Sequence, residues 1–345
     1  MKRVYTLSES EFRQLVRNQI RRLSNNPNIR RLHEAEVNWD DKYESFIAAL
    51  AGNAKDPKVK AFISAGELDD DAADDKFTFG DKDVPVTSLI PTQNEIDIDK
   101  SLAYPISKPK DFINYVVNGD GATFSPGGPI VTYNGKYIID GHHRWSQVYA
   151  CNKNAKMKCL DIQIEGLKPL EVLKAVQASI AYATGKVPIA EVKGTNLLAI
   201  DKSGLEGWFS KAGGKNLNFF AEVGANDSCM KKMKESIGGG VNEAVEVDDE
   251  VYREAQQLAV DYIWSNCESM KSTSQPVDGA PKRSFMPQVD NGGDWQTPLK
   301  QGKIDIVSPH AAPEKISKSI QSSGYQRSGY VVVERWQRLA GILKG

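Results

Sequence analysis

Five consecutive residues, Asp140-Gly141-His142-His143-Arg144, concentrate most of the chemistry legible in this chain. Two of its four histidines sit there beside an arginine, behind a carboxylate and a glycine. Glycine at 141 lets the backbone turn steeply and approach a ligand closely. If a helix begins just after it, the unbonded N–H groups of the first turn and the helix dipole favour an anion such as phosphate. His142, His143 and Arg144 would then add charge-assisted donors, and Asp140 would orient a histidine or a metal-bound water. The plainer alternative is a capped helix carrying two surface histidines. Upstream, Glu95 lies near other acids (Asp97, Asp99), as a helix N-terminus favours.

The elements that must position these residues read clearly. Asn134-Gly135 supplies the two positive φ angles of a type I′ hairpin turn. Ile130, Val131 and Tyr133 precede it and Tyr137, Ile138 and Ile139 follow, residues suited to a half-buried pleated surface. Asp140-Gly141 then breaks the strand, and His142 to Asn152 forms a helix with Trp145, Val148 and Tyr149 apolar. Val84 to Ile90 alternates as a strand, Pro91-Thr92-Gln93 turns the chain, and a helix follows near Asp99–Leu102. Gly119 to Pro129 is a Gly/Pro-rich loop able to cover a site. Lys158 to Ile164 is a further strand. A helix with Pro169 in its first turn runs to Tyr182 and stops at Gly185.

The stretch Y-I-I-D-G-H-H-R-W, with the upstream V-P-V-T-S-L-I-P-T-Q-N-E-I (Val84 to Ile96), resembles the ParB/sulfiredoxin superfamily over about Val84 to Gly185. The resemblance implies an α+β fold, a ParB/sulfiredoxin-like small mixed sheet with helices. Helical N-terminal and irregular C-terminal extensions flank it, giving an extension over 1–80, the domain over 81–186 and a C-terminal region over 187–345. It also implies that Gly141, His142, His143 and Arg144 hold nucleotide phosphates, that Glu95 is the general base, and that Asp140, His142 and His143 take part in catalysis. The nucleotide would be ATP, ADP or CTP, with Mg²⁺.

The DNA-partitioning branch carries G-E-R-R-x-R here. Gly141 and Arg144 match, but His142 and His143 replace Glu and Arg, and Ser146 stands in place of the last Arg. Gly141-His142-His143-Arg144 looks more like the phosphotransferases, the free-serine kinases among them. Sulfiredoxin's own cysteine is replaced by His142. Phosphoryl transfer and ParB-like nuclease chemistry, with DNA as partner, follow as the enzymatic expectations. The competing expectation is a non-catalytic phage-associated protein, in virion or host cytoplasm, using the fold to bind phage structural proteins.

Composition constrains the rest. The chain has 345 residues, 44 Lys+Arg against 45 Asp+Glu, a net charge of −1 and 40% hydrophobic residues. That excludes a globally basic nucleic-acid binder. Cys151, Cys159, Cys229 and Cys267 lack C-x-x-C spacing, so incidental thiols in a reducing cytoplasm are expected, and no run reads as a membrane span. Ser8 to Glu11 forms a capping box, with Leu7 and Phe12 as a staple, before an Arg-rich amphipathic helix. That helix either docks on the domain or meets a partner, and it resembles short leaders of some tailed-phage proteins. Tyr43, Phe46, Ile47 and Leu50 mark a second helix. Glu67 to Asp75 is an acidic loop, with calcium binding as the sharper alternative. The spacing does not match an EF-hand loop, which needs a central Gly and a terminal Glu, and no protein metal site is expected. Past Val187, Trp208, Phe209, Phe219 and Phe220 suggest a core. A helix runs from Asp248-Asp249 to Cys267, and Met270 to Gly302 lacks periodicity and is expected to wrap over another surface or to be partly disordered. Tyr330 to Leu343 mixes strand and helix patterns.

Overall fold

The computed structural model describes residues 41–53, 76–188, 194–211, 213–238 and 249–304. The capping box at Ser8, the Arg-rich segment, the acidic run at 67–75 and the pattern at 330–343 lie outside the described residues.

The strand run I-V-T-Y folds as β4 (Ile130–Tyr133) because all four of its residues are buried, as expected for a strand covered on both faces. Its hairpin partner β5 (Tyr137–Asp140) pairs with it antiparallel. Asn134 at φ 53 and Gly135 at φ 61 form the turn, with the Lys136 N–H donating to Tyr133 O at 3.1 Å. Beside β4 runs β6 (Lys156–Gln163), parallel to it. On the other side of β6, β1 (Thr78–Pro85) pairs antiparallel along its whole length. The short β3 (Thr123–Phe124) pairs with the start of β6, and β2 (Ile90–Pro91) runs parallel to β5. The result is a six-stranded mixed sheet in the order β1-β6-β4-β5-β2.

One expectation changes here. Val84 to Ile90 is not a single strand: it holds the end of β1, a 3₁₀ turn over Val86–Ser88, and the start of β2. Pro85 lacks an N–H for the ladder, and the Val86 N–H leaves β1 to reach Ala155 O at 3.0 Å. The body of β1, T-F-G-D-K-D, escapes pattern reading because charged side chains suit an edge strand.

Helices cover both faces, so the architecture is α+β. On one face lie α1 (Tyr43–Asn53) and α5 (Pro169–Thr184). Tyr43, Phe46, Ile47 and Leu50 pack there with Val172, Val176 and Ile180, and with Val131, Ile139 and Ile162 of the sheet. Helix α5 ends as its sequence dictates, at Gly185 with φ 67. The other face takes α2 (Ile98–Ser107), α3 (Pro109–Asn118) and α4 (His142–Cys151). Outside them pack α6 (Lys202–Lys211), α7 (Gly213–Gly224), α8 (Asp227–Ser236) and α9 (Asp249–Thr273). Trp145, Val148 and Tyr149 share that core with Phe209, Phe219, Leu258 and Ile263. The helices beyond residue 187 therefore complete the core on which α4 rests. Among the described residues no helix is long and apolar enough to cross a membrane.

Helix α9 also finishes α4 chemically. Tyr262 Oη donates to Cys151 O at 2.9 Å and Asn266 Nδ2 to Ala150 O at 3.1 Å, satisfying carbonyls that a helix end leaves unpaired. After α9 the chain becomes irregular, with 3₁₀ turns at Arg283–Phe285 and Val289–Asn291 and a short α10 (Gln296–Lys300). From Ser274 on this strap crosses the molecule, while Met270 to Thr273 still belong to α9. Val277 and Asn94 tie it to the β2 region through Val277 N to Pro91 O and Asn94 N to Pro281 O, each 3.1 Å. Ser179 Oγ of α5 donates to Trp295 O at 2.6 Å.

Candidate functional site

The bend between β5 and α4 is built by close packing. Gly141 sits at φ 93, ψ 22 as the N-cap of α4. A Cβ there would lie 2.5 Å from Ile130 Cγ2 and 2.8 Å from Ile130 Cβ. Only glycine tolerates both the left-handed backbone and the contact. No side chain caps this end, and among the described residues the amides of His142, His143 and Arg144 donate to no acceptor. The first internal bond of the helix runs from Trp145 N to Gly141 O at 3.0 Å. These free amides are the anion-binding feature expected at a helix start.

A cavity of about 240 Å³ opens at this bend. One wall is the bend itself, with Asp140, Gly141, His142, His143 and Arg144. Gln93 and Lys100 contribute from the β2–α2 segment, and the strap contributes Arg283, Met286, Gln288 and Asp290. The volume falls just below the roughly 300–1,000 Å³ of sites that enclose drug-sized ligands, so it suits one compact group of a ligand rather than a whole nucleotide.

The two histidines do something the sequence did not suggest. His142 is 3% exposed, and its Nε2 accepts the Thr92 N–H at 3.1 Å. His143 Nε2 accepts the Asp97 N–H at 3.2 Å. An acceptor nitrogen carries no proton, so each ring is neutral with its proton on Nδ1. Burial pushes both rings down to about 3, helped at His142 by His143 and at His143 by Arg283 and Lys100. The expectation of charge-assisted imidazole donors therefore gives way to neutral clamps that fasten the 92–97 segment onto α4. Thr92 Oγ1, donating to Ile138 O at 2.5 Å, completes that fastening.

A pH dependence follows, with a definite sign. A histidine whose folded pKa lies below its unfolded value of about 6.5 stabilises fully above that value and loses the contribution as pH falls towards 3. Asp140 opposes it. Burial raises its carboxyl to about 6, Asp290 adding to the rise and Arg144 opposing it; its contribution is full below the unfolded value of about 3.9 and fades as pH rises through 6. His142→Gln is therefore expected to flatten stability against pH between 4 and 6 by about 1.4 kcal/mol per pH unit, the value of one proton. Urea unfolding at stepped pH reads this directly. Parallel curves for variant and wild type would rule it out.

Arg144 is held rather than free. Its Nη2 meets Asp140 Oδ2 at 3.1 Å, and Nη1 donates to Gly128 O at 3.3 Å and Gly127 O at 3.4 Å. The Gly/Pro-rich loop is thus a backstop for the guanidinium. Ser146 is fully buried, with its Oγ 2.8 Å from Ser101 Oγ. A longer side chain there would force α4 away from α2.

Of the residues singled out by sequence, Asp140, Gly141, His142, His143 and Arg144 come together around the cavity. Glu95 does not line it; one of its oxygens, Oε2, is buried without a hydrogen-bond partner. Asp97, not Glu95, caps α2, accepting the Asp99 N–H at 2.9 Å. Sequence reasoning missed Lys100, Arg283, Gln93 and Asp290. Lys100 follows the cap by three residues and carried a faint signal, whereas nothing local marks Arg283 or Asp290. Among the described residues no three His, Cys, Asp or Glu side chains form a group able to hold a metal.

No protein-family model matches the chain, and neither a curated protein nor a solved structure matches it.

Proposed function

We propose that this chain binds the phosphate of a nucleotide in the cavity at the Asp140–Arg144 bend, and that its 81–186 region is a ParB/sulfiredoxin-like domain. The observation that carries the proposal is the uncapped start of α4 opening into a cavity beside the Arg144 guanidinium. The Gly141-x-x-Arg144 spacing, the hairpin before it and the strand and helix after it accord with that family's phosphate turn.

Phosphoryl transfer or phosphodiester cleavage is the chemistry that fits. The α4 amides and Arg144 would neutralise charge on the phosphoryl oxygens, and positioning would supply most of the acceleration. Asp140 takes the general-base role in place of Glu95. Its carboxyl, raised to about 6, is ionised at neutral pH and still basic enough to accept a proton from an attacking hydroxyl. Asp290, on the strap wall, would hold Mg²⁺ carried in on the nucleotide phosphates, and the ion would supply further neutralisation of phosphoryl charge.

Calorimetry with ATP, ADP and CTP, with and without Mg²⁺, tests the proposal. Arg144→Ala is expected to cost at least about 1.5 kcal/mol of binding, the scale of a charged hydrogen bond. Absence of binding at millimolar nucleotide would refute it. One observation favours a second reading, a binding module without turnover: both imidazoles are committed to backbone N–H groups, which leaves Asp140 to act alone. Phosphate release from a bound nucleotide separates the two.

A further inference from the structure

The strap brings a cation into the cavity for which the α4 bend has no use. Arg283 is 6% exposed and lines the cavity wall. Its Nη1 donates to Asp97 Oδ2 at 2.8 Å. A guanidinium presents donors on three edges of a planar fork, and among the described residues Nε and Nη2 reach no protein acceptor. Neither nitrogen is buried away from solvent without a partner, so both are open to the cavity Arg283 lines and able to meet an acceptor that enters it. Lys100 lines the same cavity from the first turn of α2, is exposed, and forms no ion pair among the described residues.

Nor is Arg283 free to swing away. Asp97, which holds it, is itself 6% exposed. Its Oδ1 caps α2, and its N–H donates to His143. The same aspartate therefore fixes Arg283 relative to the start of α4. A phosphoryl group lying on the α4 amides would turn its outer oxygens towards a second set of donors already in place.

Resting on the phosphate-binding reading above, we propose that Arg283 and Lys100 form a second half of the anion site that selects a terminal phosphoryl group. A monoester, or the end phosphate of a nucleotide, has three unsubstituted oxygens to share between α4 with Arg144 on one wall and Arg283 with Lys100 on another. A phosphodiester has two, and cannot serve both walls as well. The site is thereby biased towards phosphoryl transfer and away from cleavage of a nucleic-acid backbone.

Calorimetric titration of the full chain with inorganic phosphate and with dimethyl phosphate tests this, on wild type, Arg283→Lys, Lys100→Met and Arg144→Gln. Lysine at 283 keeps a cation beside Asp97 but loses the planar fork. Wild type is expected to bind phosphate at least about tenfold tighter than the diester, a gap of the size one charged hydrogen bond supplies. Arg283→Lys should lose most of that preference while melting at the wild-type temperature, and Lys100→Met should weaken phosphate several-fold. Should Arg283→Lys melt lower, Lys100→Met, on an exposed position, decides alone. Equal affinity for the two probes, or full phosphate affinity in both cation variants, would overturn the inference. If Arg144→Gln loses phosphate and those two do not, the α4 site stands without this second half. If wild type binds no phosphate, the parent reading falls too.

Discussion

Replacing Arg283 by methionine is expected to cost about 3–5 kcal/mol of stability, the usual loss when one member of a buried ion pair is removed. Both partners are 6% exposed, so water cannot take over the solvation of the Asp97 carboxylate once the guanidinium is gone. The cap bond from Asp99 N would remain, but one N–H does not balance a buried charge. The damage should spread, because Asp97 also joins α2 to α4 through His143 and to the 194–200 segment. The Cβ position of Gly194 is 2.4 Å from Asp97 Oδ1, so the backbone there is pressed against this carboxylate. Urea denaturation measures the loss. Asp97→Asn combined with Arg283→Met should recover part of it, since the uncompensated charge is then absent. A single variant as stable as wild type would mean that the pair is solvated and the strap is not anchored there.

Gly141→Ala should cost about 3 kcal/mol, from two sources of similar size. Placing an L-residue at φ 93 costs roughly 1–2 kcal/mol. Forcing a methyl to within 2.5 Å of Ile130 Cγ2 adds an overpacking cost of roughly 1–3 kcal/mol. Ile130 is fully buried in β4 between β5 and β6 and has no room to retreat. Gly166→Ala is the control: it also has positive φ, 81, but no atom lies within 4 Å of its Cβ position. It should lose only the backbone part, about 1 kcal/mol. Equal losses at the two sites would show that α4 does not start against Ile130.

The parts of the site that sequence revealed are those specified locally. Asn134-Gly135 demands a tight hairpin turn, Asp140-Gly141 ends a strand, and Pro169 and Gly185 bracket α5; each signal acts within a few residues. Those it hid depend on distant packing. Arg283 joins Asp97 across 186 positions, and neither flank of Arg283 has a period to betray it. The histidines misled for a related reason. Their types and spacing announce chemistry, but the groups that use them, the N–H donors of Thr92 and Asp97, lie 50 and 46 residues upstream. Resemblance and proximity to a helix start point to Glu95, but Asp97, two residues on, takes the cap because its short side chain reaches forward to the Asp99 amide.

A two-dimensional amide NMR titration with inorganic phosphate tests the central claim most directly, because it watches the donors themselves. The account predicts saturable downfield shifts of the His143 and Arg144 backbone N–H resonances, lost in Arg144→Gln, with distant amides such as those of α8 unmoved. Amides of the α4 first turn that stay in place at saturating phosphate, while the protein remains folded, would contradict it.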